Sequence, residues 1–255
     1  MDPSLRAQPS LLHTAWQWWS YAAAYEGSFR ATRRLVGVLW EFARDSTPER
    51  GRLRFGDADY DWDYRVNTTS GAVAWRDRLL GMFHSAYQPT DPAAFQEMLD
   101  AVQRQANLDG VALDFRDFTF LDLGSGKGRT LLMASDYPFR RIVGVELLPA
   151  LHRIAQENLR LYQSEAQRCF ALEAICDDAN EFPFPDEPLV VYLFNPLPES
   201  GMRRVRANLE RSLRAHPRVV YVLYHNPLLE HVLSENTGLR KLAGTQQYSL
   251  FKAGN

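Results

Sequence analysis

From residue 118 onward the sequence predicts an α/β fold with a mostly parallel sheet, and three observations carry that reading. Short β-branched and aromatic runs alternate with amphipathic helical runs, the pattern of parallel strands joined by crossover helices. The first such run enters its helix through a glycine-rich turn, in FTFLDLGSGKGRT at residues 118–130. The last two runs have no helix between them, so they form a hairpin that puts one antiparallel strand into the sheet.

The elements follow in order. A helix starts in TDPAAFQEMLDAVQ, with Asp91 as N-cap and Pro92 at the first helical position. Phe95, Met98, Leu99 and Val102 recur at helical spacing and give it one apolar face. Then come strand 118–123, helix 127–136, strand 141–146, helix 149–163 and strands 169–175 and 188–194. Helix 199–215, strand 218–224, helix 227–234 and closing strands near 239–243 and 247–252 complete the chain. Ahead of this core, residues 10–45 read as two helices that break near Glu26-Gly27-Ser28, and residues 46–56 as a loop. In DADYDWDY, residues 57–64, aspartates alternate with Ala58, Tyr60, Trp62 and Tyr64. Period two predicts an extended segment with one acidic and one aromatic face. A calcium loop is excluded, because its glycine and glutamate positions hold Trp62 and Thr68. NTTSG, residues 67–71, reads as a turn. The chain thus divides into an N-terminal helical and extended cap, residues 1–85, and a core, residues 86–255.

Composition narrows the function classes. Hydrophobic residues at 45% and charged residues at 24% describe a soluble globular chain. A net charge of −2 gives no overall footprint for a phosphate backbone, which counts against nucleic acid as a partner. LLHTAWQWWSYAAAY, residues 11–25, lacks charge but is interrupted by polar residues. It falls short of the roughly 20 apolar residues a membrane-spanning helix needs, so no transmembrane segment is expected. Cys169 and Cys176 have no cysteine or histidine cluster around them and read as reduced thiols of a cytoplasmic protein, with no metal site.

The glycine turn is the first candidate site. Gly124, Gly126 and Gly128 are spaced G-x-G-x-G. The dinucleotide fingerprint needs its third glycine where this chain has Arg129, and the phosphate-cradling G-x-x-x-x-G-K-[ST] spacing is absent. A nucleoside ligand without phosphates fits better. Glu146, at the end of the next strand in RIVGVELLP, is placed to accept from both hydroxyls of a ribose.

These residues carry a family resemblance. FLDLGSGKGR, RIVGVELLPALHRIAQENL, DDANEFPFP and LVVYLFNPLP together resemble the class I methyltransferases that use S-adenosyl-L-methionine. The likeness is to uncharacterised bacterial members and, more distantly, to seven-stranded protein-lysine methyltransferases, and it covers roughly residues 85–255. It implies a Rossmann-like, mostly parallel seven-stranded sheet with an antiparallel last strand. It also implies S-adenosyl-L-methionine as cofactor and S-adenosyl-L-homocysteine as product. On this likeness Asp122 orders the glycine loop near the methionine part, and Gly124, Ser125, Gly126 and Gly128 line that part. Glu146 holds the ribose, and Asp178, followed by Ala179, meets the adenine amino group, with Asp177 as a competitor.

The acceptor side rests on YLFNPLP, residues 192–198. Ligands in open α/β sheets lie beyond the carboxyl ends of the strands, which places Asn195 and Pro196 over the methyl group, with Asn195 also beside the cofactor. Amino-group methyltransferases of this class carry [D/N/S]-P-P-[Y/F/W] here. This chain keeps the polar head but has Leu197 and Pro198 in the last two places, which favours an aliphatic amine over a planar base. A second Asn-Pro pair, Asn226-Pro227, ends the next strand beside His225. Tyr87 and Thr90, in YQPTDP, are placed to contact cofactor or acceptor. The expectation is methyl transfer to a nitrogen of a protein side chain or small molecule. A non-catalytic S-adenosyl-L-methionine-binding module and a nucleic-acid methyltransferase are the alternatives.

Overall fold

The order in which the strands lie side by side decides where a ligand can sit. In the computed structural model, β1 (Thr119–Leu123), β2 (Arg141–Glu146), β3 (Leu172–Cys176), β4 (Leu189–Leu193), β5 (Val220–His225), β6 (Arg240–Gly244) and β7 (Tyr248–Ala253) form one sheet. Its order is β3-β2-β1-β4-β5-β7-β6. The first five strands are parallel and β7 runs antiparallel to both neighbours. The seven-stranded Rossmann-like sheet is therefore present, and its direction of winding reverses between β1 and β4. Ligands of such sheets bind in the crevice that opens at that reversal. The structure describes residues 16, 19–20, 23, 27–33, 35–36, 58–69, 89–110, 112–195, 197–235 and 238–254.

The chain forms two compact units: residues 1–58 with 69–88, and residues 59–68 with 89–255. In the first, Gly27 adopts a φ of 84° and its N–H donates to the Ala23 carbonyl at 3.1 Å, which is the helix break expected at that position. Trp16 and Trp19 stack with centroids 5.3 Å apart, and the Trp19 indole donates to Thr32 at 3.0 Å.

In the second unit, both faces of the sheet are covered, so every residue of β1 and β4 is buried. One face packs against α2 (Pro92–Leu108) through Phe95, Met98, Leu99 and Val102, which meet Phe120, Tyr192, Leu223 and Leu250. The other packs against α5 (Glu199–Ala215) through Met202, Val205 and Leu209, which meet Val143, Val191 and Val222. The Asp91 carboxylate caps α2 by accepting from the Ala94 N–H at 2.9 Å. Helices α3 (Arg129–Ala134), α4 (Pro149–Leu161) and α6 (Glu230–Ser234) fill the remaining crossovers. No helix among the described residues is long and apolar enough to cross a membrane.

One expectation fails. Residues 58–64 are a helix, α1 (Ala58–Tyr64), and not an extended segment. A period of two also contains every fourth residue, so the alternation places Tyr60 and Tyr64 on one helical face. Their rings lie 4.7 Å apart, and Tyr64 reaches Tyr162 at 5.2 Å. Trp62, halfway between them, points away and is 84% exposed.

Candidate active site

The glycine turn is held by main chain. The Gly124 and Ser125 N–H groups both donate to the Val145 carbonyl, at 2.8 and 3.0 Å, which draws the turn across the end of β2. Gly124, Gly126 and Gly128 have φ values of 90°, 56° and 82°, a conformation that side chains rarely adopt. Gly144 in β2 serves the same turn from below. A Cβ there would lie 2.6 Å from Leu131 Cδ1 and 2.7 Å from Ser125 Oγ.

Glu146 is the anchor. It is 7% exposed, its Oε2 accepts from the Gly126 N–H and its Oε1 from the Leu148 N–H, both at 2.8 Å. The Leu147 N–H also draws on the carboxylate, which keeps lone-pair capacity for a further donor. Burial pushes its pKa up, against the pull of those N–H groups. Asp122, 2% exposed, accepts from the Thr130 hydroxyl, which ties β1 to the first turn of α3. Burial raises its pKa to about 7, and the Glu146 charge adds to the rise. Among the described residues neither carboxylate has an ion-pair partner, and the buried Ser125 hydroxyl has no hydrogen-bond partner. Two buried carboxylates beside a glycine turn fit a ligand that brings hydroxyl donors and positive charge.

Asp178 follows β3, whose last residue, Cys176, pairs with Glu146. Its Oδ1 accepts from the Asn180 N–H at 2.9 Å and from the Asn180 side chain at 2.7 Å, leaving Oδ2 directed elsewhere. Ala179 beside it is buried. The structure thus gathers Asp122, Gly124, Ser125, Gly126, Gly128, Glu146, Asp178 and Ala179 along the ends of β1, β2 and β3.

A clamp on the turn was missed by sequence reasoning. Asn158 of α4 is buried; its Oδ1 accepts from the Asn67 N–H at 2.8 Å, and its Nδ2 donates to the Asn67 and Lys127 carbonyls at 3.0 and 2.9 Å. The Lys127 ammonium, reaching out of the glycine turn, donates to Asn67 Oδ1 at 3.0 Å. Burial lowers the Lys127 pKa to about 8, with Asp61 acting in the opposite direction. Arg129 lies over the Tyr60 ring at 4.2 Å. Only the unusual lysine between two turn glycines hinted at this arrangement.

The acceptor side is built differently. Asn195 and Asn226 lie at the ends of adjacent parallel strands and both have positive φ, 44° and 48°. Asn195 Oδ1 accepts from the Tyr224 hydroxyl at 2.8 Å, and its Nδ2 donates to the Asn226 carbonyl at 2.6 Å. The side chain is thus engaged within the protein, with one lone-pair direction and one N–H left over. Thr90 Oγ1 and His225 Nδ1 each lie 2.8 Å from the Tyr192 hydroxyl, so Thr90 sits in a buried relay beneath this edge. Burial lowers the His225 pKa to about 4, which keeps the imidazole neutral. Pro196 and Tyr87 lie outside the described residues.

Three comparisons bear on these arrangements. The profile of a family described as "Methyltransferase domain" matches residues 120–216. An uncharacterised RNA methyltransferase of Chlamydia muridarum is 32% identical over 115 residues, 44% of this chain and 26% of that protein. The chain therefore spans about a quarter of the length of this curated relative. Among solved structures, an RNA methyltransferase from Salinibacter ruber in complex with S-adenosyl-L-homocysteine has a TM-score of 0.43 at 20% identity, over 65% of this chain and 92% of that one. A ribosomal protein L11 methylase from Lactobacillus delbrueckii subsp. bulgaricus has a TM-score of 0.42 at 12% identity, over 65% and 80%.

Proposed function

We propose that this chain, which carries a class I, S-adenosyl-L-methionine-dependent methyltransferase domain, transfers a methyl group to a nitrogen of a protein side chain or small molecule. The observation that carries the proposal is Glu146, a buried carboxylate fixed by two N–H groups with lone pairs to spare for ribose hydroxyls. The cofactor supplies a methyl group already activated on a sulfonium. The protein's part is to bind, align and exclude water. Asp122 and the glycine turn would hold the methionine part, and Asp178 and Ala179 the base. Asn195, locked to β5 through Tyr224 and Asn226, would fix the acceptor edge relative to the cofactor edge. Residues 59–68, the part of the expected cap that belongs to this unit, would brace the glycine turn through Asn67. A cytoplasmic setting belongs to the same proposal, on two cysteines that stand as free thiols.

A nucleic-acid acceptor is the second reading, favoured by the RNA methyltransferase relative. The most basic helix lends it little support. Arg203 of α5 pairs with Glu199 and Glu235, and Arg206 donates to the Val232 carbonyl, so these guanidinium groups are already engaged. The test is incubation of the protein with methyl-labelled cofactor and, separately, the protein, small-molecule and RNA fractions of a lysate. Label in the protein or small-molecule fraction, lost with Glu146→Gln, is the expected result. Label confined to RNA would establish the second reading.

A further inference from the structure

The ends of β4 and β5, the first turns of α2 and the β6–β7 turn border an open surface cleft of about 520 Å³, in which Asp91 and Glu97 are exposed. That volume suits a small ligand or a single side chain. Asp91 and Glu97 line it from α2, Phe194, His225 and Asn226 from the strand ends, and Gln247 from the turn. None of its lining residues is a lysine or arginine. Phe194 and His225 stack with centroids 4.1 Å apart and form one wall. The His225 ring adds no positive charge, because burial keeps it neutral. The positive end of the α2 dipole would by itself favour an anion. Asp91 already covers it, accepting from the Ala94 N–H.

The cavity therefore combines net negative charge, aromatic rings and amide groups, a lining that suits an organic cation. Resting on the methyltransferase reading above, we infer that this cleft receives the aliphatic ammonium group of the methyl acceptor, held between Asp91, Glu97 and the Phe194–His225 wall; the nitrogen gives its proton to solvent before its lone pair takes the methyl group, and the sulfonium leaves as the neutral thioether. A lysine side chain and a small polyamine share this chemistry. Loss of the aromatic residue after the Asn-Pro pair agrees with an acceptor that has no planar base to stack.

The test is calorimetric titration of the full chain with cadaverine, with 1,5-pentanediol as its neutral isostere, with a capped lysine pentapeptide, and with adenosine. Each is run with and without S-adenosyl-L-homocysteine. The expected result is that an amine binds and the diol binds at least about tenfold more weakly, with amine affinity falling as salt rises. The double variant Asp91→Asn, Glu97→Gln, in which asparagine keeps the helix cap, weakens the amine about five- to tenfold. Phe194→Leu weakens it by a similar factor through the lost ring. Whichever amine binds more tightly, diamine or peptide, names the source. Equal binding of diol and diamine, an unchanged double variant, or a preference for adenosine while S-adenosyl-L-homocysteine fills the cofactor cradle would overturn the inference. A chain that binds amine here but no S-adenosyl-L-homocysteine would sink the methyltransferase proposal and leave the cleft standing. A chain that binds the nucleoside but no amine would do the reverse.

Discussion

The two halves of the candidate site are made of different material. At the ends of β1 and β2, the turn is fixed by backbone: N–H groups of Gly124 and Ser125 on the Val145 carbonyl, and N–H groups of Gly126 and Leu148 on Glu146. At the ends of β4 and β5 side chains carry the network, Tyr224 to Asn195 and Thr90 to Tyr192 to His225, with Asn195 also donating to the Asn226 carbonyl. A main-chain cradle depends on a few glycines and two acids, and its shape tolerates change elsewhere. A side-chain network depends on each member, and it can be altered to take a new acceptor without disturbing the cradle.

Replacing Glu146 should break the cofactor half most severely. Glu146→Gln puts an amide N–H₂ where one N–H donor now points and removes the charge. S-adenosyl-L-methionine affinity should fall about 100-fold, near 2.7 kcal/mol. Calorimetry would read this directly, and a loss of only a few fold would mean the turn alone makes the cradle. On the other half, Asn195→Ala should lower turnover about 30-fold while cofactor affinity stays within about twofold. The substitution frees the Tyr224 hydroxyl and lets the acceptor edge drift. Coupled loss of both quantities would erase the distinction between the halves.

Gly144→Ala probes the cradle from beneath with a smaller effect. Its Cβ would lie 2.6 Å from the Leu131 side chain, so the turn and α3 must shift. A cost of about 1–3 kcal/mol in stability is expected. Thermal unfolding would show a fall of several degrees, about 2–4 °C per kcal/mol in a chain of this size.

The same contrast explains what could be read from sequence. Glycine spacing, an acid closing the next strand and the strand ends themselves are local patterns, so the glycine turn, the acid at the end of β2 and the mostly parallel sheet were legible. The Asn67–Asn158 clamp joins residues 91 positions apart, and the Thr90–Tyr192 contact joins residues 102 apart. No spacing rule encodes either. The α1 segment misled for a different reason: Tyr60 and Tyr64 satisfy both the strand and the helix period, and packing against Tyr162 selects the helix. Asn195 was legible as a residue just past the end of β4, but not its lock onto Tyr224, because the partner lies on another strand.

The smallest effect at neutral pH separates the two halves by titration. Burial raises the Asp122 pKa to about 7. A carboxyl group whose pKa is higher in the folded state than in the unfolded one contributes stability below the unfolded value, about 4, and that contribution is lost as pH rises through 7. The free protein should therefore become more stable, through this group, on acidification from pH 8 to 5. Affinity for a cationic cofactor should run the other way, because it favours the ionised carboxylate. With half of the molecules ionised at pH 7, affinity should fall about twofold there, and about tenfold at pH 6. Asp122→Asn should flatten both slopes. The imidazole at the acceptor edge, with its pKa lowered to about 4, is neutral throughout this range and should leave both curves unmoved. Calorimetric cofactor titrations and thermal melts at matched pH would read the two opposite slopes. Slopes of the same sign, or slopes that survive Asp122→Asn, would show that Asp122 is not the titrating group.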